Sequence, residues 1–155
     1  MALITFPLAP IGALLQYQAT VNSTSWTTLA LLKDDCDFET WETAQIELKT
    51  LASGSVGRTP GRIDYKGFSG SCFLVNADGG NAFLLSSFTS RSMITWRFIL
   101  NDGTTPNVPG PGTGSTYEFL AFVAEFHPGP FSGEDVPVIE FSLAINGSVV
   151  VTPGS

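Results

Sequence analysis

One histidine, two cysteines and fourteen carboxylates are the reactive groups of this chain, and their placement points away from catalysis. His127 precedes Pro128-Gly129 where an apolar run ends, and no Gly-x-Ser-x-Gly elbow supplies it with a nucleophile, so it reads as a loop residue. Zinc needs clustered His, Cys or carboxylate ligands, which one histidine and the distant Cys36 and Cys72 do not provide. Asp34-Asp35-Cys36-Asp37 groups three acids but lacks the spacing and the glycine of a calcium loop, and reads as a solvated turn. Carboxylate pairs suited to glycoside hydrolysis occur in any set of fourteen acids and have no specificity here. The glycines of Ala52 to Arg58 are not followed by the Gly-Lys-Ser/Thr of a phosphate loop. The expectation is a protein that is not an enzyme, with no metal and no cofactor.

Charge narrows the partners. Seven basic residues face fourteen acids, a net charge of −7, whereas a DNA grip needs Lys and Arg to displace counterions from phosphates. Two cysteines in 155 residues are no disulfide framework, and they read as buried thiols in a reducing compartment. Residues 1–15 lack a basic leader and are broken by Pro7 and Pro10, and no run reaches the roughly 20 apolar residues of a membrane span. Asn22-Ser23-Thr24 and Asn146-Gly147-Ser148 match the glycosylation pattern, which carries little weight without a leader. Only 14% of residues are charged, against about 25% in an ordinary soluble domain, and 43% are hydrophobic, which favours an oligomer.

The elements between these groups read mainly as strands. Gly12 to Thr20 and Trp26 to Lys33 are β-prone, and Met93 to Leu100 alternates with Ile94, Trp96, Phe98 and Leu100 on one side. Tyr117 to Phe126 is almost wholly apolar, as for a strand buried on both faces. Ile139, Phe141, Leu143 and Ile145 alternate with polar or small residues, and Asn146-Gly147 then predicts a type I′ hairpin turn with Val149 to Val151 returning. One short helix is predicted over Asn81 to Arg91, capped by the Asp78-Gly79-Gly80 turn. The Pro/Gly-rich stretch Thr104 to Gly114 reads as a loop inside a single domain of residues 1–155. The predicted fold class is mainly β, a sandwich or partly closed barrel with one short flanking helix.

Charges are sorted along one segment. Asp34, Asp35, Asp37, Glu39, Glu42 and Glu47 come first, and Lys49, Arg58, Arg62 and Lys66 follow. Phe38 to Leu51 reads as a long strand with no clear buried face, leading into a glycine-rich arm at about residues 48–66. Such an arm is either a solvated loop or a segment that orders on a neighbour. In the second case its basic tip, Lys49, Arg58, Arg62 and Lys66, would meet Asp34, Asp35, Asp37 and Glu39 of an identical subunit. That head-to-tail contact builds rings or stacks instead of closed dimers.

Several short pieces, in order, match a family pattern: Asp37-Phe38, Gly57-Arg58-Thr59-Pro60-Gly61, Ile63-Asp64-Tyr65, the helix after Asp78, Trp96-Arg97-Phe98 with Asn101-Asp102-Gly103, and Phe141 to Gly147 with Thr152-Pro153-Gly154. With these the sequence resembles the major tail tube proteins of long-tailed bacteriophages. The resemblance implies hexameric rings stacked into a hollow tube, with the arm reaching a neighbouring subunit or ring. It implies tape measure, tail terminator and tail tip proteins as further partners, and an acid-lined lumen through which DNA passes without specific binding. The place it implies is the virion tail, assembled in the host bacterial cytoplasm. Two other readings stand beside it. One is a different virion β-protein, such as a capsid decoration or tail terminator subunit. The other is a β-sandwich module binding carbohydrate or protein, with Trp26 and Trp41 as its exposed aromatics.

Overall fold

The computed structural model describes residues 13–20, 24–29, 31–33, 35–49, 54–75, 78–100, 114–129, 131, 133–134 and 136–153. In order these form β1 (Leu14–Tyr17), β2 (Thr27–Thr28), β3 (Asp37–Phe38), β4 (Glu42–Leu48), β5 (Gly57–Asp64), β6 (Gly67–Phe73), α1 (Gly79–Ser90), β7 (Ile94–Ile99), β8 (Thr116–Pro128) and β9 (Val138–Thr152). Seven strands make one antiparallel sheet in the order β2-β1-β7-β8-β9-β6-β3, and β4 and β5 make a two-stranded sheet of their own.

Alternation places the core. Phe119, Ala121 and Val123 of β8 and Ile139, Phe141 and Leu143 of β9 point inward with Leu15, Phe68, Cys72 and Trp96. Phe38 shows how the sheet closes. Its strand is separated from β7 by four strand spacings, roughly 19 Å if the sheet were flat. Yet its ring lies 6.2 Å from Phe98 and 5.6 Å from Phe119. The sheet is therefore rolled around an aromatic cluster into a partly closed barrel.

The helix lies against the core by one side. Leu84 is fully buried, and Phe83 stacks on Tyr17 of β1 at 3.7 Å. A 12-residue helix is marginal alone, and side chains fix its start. The Asp78 carboxylate accepts the Asn81 N–H at 3.0 Å as N-cap. The Asn81 amide accepts from the Val75 N–H at 2.9 Å and donates to the Phe73 carbonyl at 3.1 Å, tying α1 to β6. The helix starts two residues before the predicted boundary and ends one before it.

Three expectations are corrected. Asn146-Gly147 does not turn the chain: β9 runs through it without a break. The long strand β8 pairs with both sides of this dipeptide, Leu120 with Asn146 and Glu118 with Val150, so tertiary pairing overrides a local turn preference. The positive φ that the pair offers, +88° at Gly147, instead serves a bulge in which Gly147, Ser148 and Val149 face Phe119 alone. Second, β8 is buried on one face only, since Leu120 and Phe122 stay exposed. Third, residues 38–49 are not one strand, since β3 ends at Phe38 and β4 spans Glu42–Leu48; the arm returns as β5, paired with β4. The predicted loop at Thr104 falls outside the described residues, as does Asp34.

Trp96 is the largest fully buried side chain, with its indole N–H donating to the Ala121 carbonyl at 3.3 Å. Trp96→Ala is expected to cost about 3–5 kcal/mol of stability, read as a lower midpoint in urea denaturation.

Candidate assembly interface

The β4–β5 hairpin contributes nothing to the core: every residue of β4 is exposed, and every residue of β5 but half-buried Gly61. Its base is well held. Trp41 packs edge-on against Tyr65 at 5.1 Å and against Phe38 at 5.8 Å. The Lys66 carbonyl accepts the Ile145 N–H at 2.9 Å, and the Lys66 N–H donates to the Asp64 carboxylate at 2.9 Å. Lys66 adopts φ 53°, a conformation a non-glycine residue keeps only when its surroundings impose it.

The four predicted cations lie on this hairpin or at its base, but two already have partners within it. Lys49 pairs with Glu47 at 3.6 Å and Lys66 with Glu42 at 3.1 Å. Arg58 stands opposite Glu47 in the strand register, and Arg62 lies where β5 has one residue more than β4. Among the described residues no ion pair engages either arginine.

Three of the predicted acids lie along the β3–β6 edge of the large sheet. Asp35 accepts both its contacts from the Ser71 hydroxyl, at 2.8 and 2.7 Å. Asp37 pairs with Ser69 in register, and the Glu39 N–H donates to the Gly67 carbonyl at 2.9 Å. Sequence reasoning missed what joins Asp35: Glu125, His127 and Glu140 border the same concavity, beside Ser69 and Ser71. His127 and Glu140 are cross-strand neighbours, 3.4 Å apart. Only the register of β8 against β9 reveals this, and that register is not local in sequence.

A second surface was also missed. The exposed side of α1 carries Leu85 and Phe88, and Phe88 stacks on Phe126 of β8 at 6.1 Å. Met93 and Phe122 continue this surface at the C-terminal end of the helix.

Among the described residues, no three His, Cys, Asp or Glu are placed to hold a metal ion. Burial, then the negative charge of Asp78, pushes the Cys72 thiol up to about 11 against a hydrogen bond from Asn81. Among the described residues, no helix is long and apolar enough to cross a membrane.

No family model matches the chain, and no curated protein does. Solved structures do. A chain of the anti-feeding prophage baseplate, six-fold symmetrised, matches with a TM-score of 0.65 and 11% identity over 99% of this chain and 98% of its own. A chain of the PVC extracellular contractile injection system, in its extended sheath-tube complex, matches with 0.67 and 12% over 91% and 88%. The SPP1 tail tube matches with 0.62 and 11% over 92% and 77%. The chain has the tail-tube fold. At 11–12% identity the likeness is one of backbone, so the tail-tube fold here is carried by this chain's own packing.

The two thiols differ within this fold. Cys72 is wholly buried with a raised pKa, whereas Cys36 is half-buried. At about pH 8, near the ordinary thiol pKa, a maleimide is expected to label Cys36 in the native protein and both thiols only in denaturant, read by mass spectrometry.

Proposed function

We propose that this protein is the structural subunit of a tail tube, forming hexameric rings that stack around a lumen through which DNA is delivered. The observation that carries this reading is the tail-tube fold, matched over nearly the whole chain by a protein of a six-fold symmetrised baseplate and by the SPP1 tail tube. Two features of the chain support it. The hairpin has no core of its own, and an isolated two-stranded ribbon is marginal in water, so it gains from a neighbour. The net charge of −7 suits a wall past which DNA slides without sticking.

On this reading residues 1–155 are one tube domain, and the arm at about residues 48–66 reaches the next subunit. Its polar side, with Arg58, meets acids of that subunit, among which Asp34, Asp35, Asp37 and Glu39 are the candidates. Tape measure, terminator and tip proteins complete the tail of a virion assembled in the host cytoplasm. Chemistry plays no part.

Purified protein is expected to form hexamers or hollow tubes, alone or when seeded by a tail tip, as seen by negative-stain microscopy. A strict monomer at high concentration, with and without the seed, overturns the reading. The arm is tested separately. Single exposed ion pairs are worth about 0–1 kcal/mol, but each recurs around every ring. Arg58→Glu with Arg62→Glu should therefore block tube growth while leaving the melting curve unchanged, since both side chains lie outside the core. Normal tubes from this variant at low and moderate salt remove the charged contact.

A further inference from the structure

The hairpin has a second side, and its chemistry is the opposite of the first. Side chains alternate along β4, so Ala44, Ile46 and Leu48 share one side while Gln45 and Glu47 take the other. Across the ladder, Leu48 faces Gly57 and Ile46 faces Thr59. A Cβ added to Gly61 would lie 3.2 Å from the Ala44 Cβ, which puts that glycine beside the third member. With glycines opposite both ends, β5 offers little to cover the strip. Ile46 is 51% and Leu48 55% exposed.

A matching surface lies on α1. None of its 12 residues, Gly79 to Ser90, is charged. Its Leu84 side is covered, whereas Ala82, Leu85 and Phe88 lie exposed beside the uncharged hydroxyls of Ser86, Thr89 and Ser90. Leu85 stands out on the exposed side, and Phe88, Met93 and Phe122 line a groove at the helix end, where Arg91 is the one charged residue among the described lining residues.

We propose that the Ala44-Ile46-Leu48 side of the hairpin seats on the uncharged side of α1 and the adjoining part of β8 in a second copy of the chain. This rests on the reading that the arm reaches a neighbouring subunit, and it names the surface that receives it. Both surfaces stay exposed in the single chain, so neither covers the other within one subunit. The lengths agree: the strip spans four residue steps, about 13 Å, and α1 is about 18 Å long. None of Ala44, Ile46, Leu48 and the residues of α1 is charged, so these side chains carry no charge into the contact, while Arg62, in the bulge opposite Ala44, and exposed Arg91 lie at its ends. Strip and groove are different patches of one chain, so the contact repeats head to tail, as a stack requires. With the polar side of the hairpin turned to acids, one arm bridges two neighbouring surfaces.

The test uses the full chain with Cys36→Ser, leaving buried Cys72 in place. Leu48→Cys and Leu85→Cys are added together, and tubes are treated with a short bis-maleimide. A ladder of covalent oligomers is expected on a denaturing gel from the double variant, and not from either single variant or from Arg58→Cys with Leu85→Cys. Tubes without a ladder, or a ladder from the single variants, overturn the proposal while the tube reading stands. If the parent chain forms no assembly with or without a seed, the tube reading itself has failed and the seat falls with it. A charge test covers the case where the cysteine pair itself disturbs growth. Leu85→Asp with Phe88→Asp, and separately Ile46→Asp with Leu48→Asp, should each raise the concentration needed for assembly about tenfold or more in a protein that still melts cooperatively. Normal growth of the helix variant overturns the seat and assigns that side of α1 to a different protein.

Discussion

The antiparallel ladder between β8 and β9 holds the rest of the molecule in place. It runs from Thr116 opposite Thr152 to Pro128 opposite Ile139, and β7 and β6 attach to its two sides. Every inward residue on these four strands owes its orientation to that register, because a slip of one residue would turn the apolar set outward. Two irregularities in the ladder, between Glu118 and Leu120 and between Val123 and Glu125, let long strands bend without losing their pairing. The bulge at Gly147 also sends Val149 inward, where it joins the core.

Curvature follows from what fills the concave side. Phe38 sits on an edge strand, yet it touches rings from β6, β7 and β8. Such contacts exist only in a rolled sheet, so the aromatic cluster and the barrel shape are one fact seen from two sides. The hairpin starts beside this cluster, at Trp41, and is anchored there by ring contacts while the residues of β4 stay exposed.

Much of the fold was legible in the sequence because local pattern and tertiary structure agree there. Met93 to Leu100, Ile139 to Ile145 and the capped helix after Asp78 are found where alternation and capping chemistry place them. The arm without a buried face was legible too, because Ala52 to Gly61 is a polar, glycine-rich stretch whose one large apolar residue is Val56. Asn146-Gly147 misled because its turn preference is local, whereas the partner that overrides it lies more than twenty residues earlier in the chain. The acids around His127 escaped notice because only cross-strand register brings Glu140 to it. The absence of charge in α1 was visible, but periodicity did not show that Leu85 and Phe88 would be left exposed. Of the eight residues expected at the interface, the structure places the four cations on or beside one ribbon and three acids along one sheet edge.

Lys66 bears on something larger than its own turn. It is the joint between ribbon and body, bent to φ 53° and held there by Asp64 on one side and Ile145 on the other. A ribbon stiffened by cross-strand pairing transmits any rotation at that joint to its far end, where a few degrees become ångströms. In a polymer built through the ribbon, this joint, together with the packing of Trp41 where the other strand begins, would bear on the pitch from a place far from the surfaces that touch. Substitution of Asp64, whose carboxylate holds the Lys66 N–H, would then change how tightly such a polymer winds without touching the apolar strip or the helix.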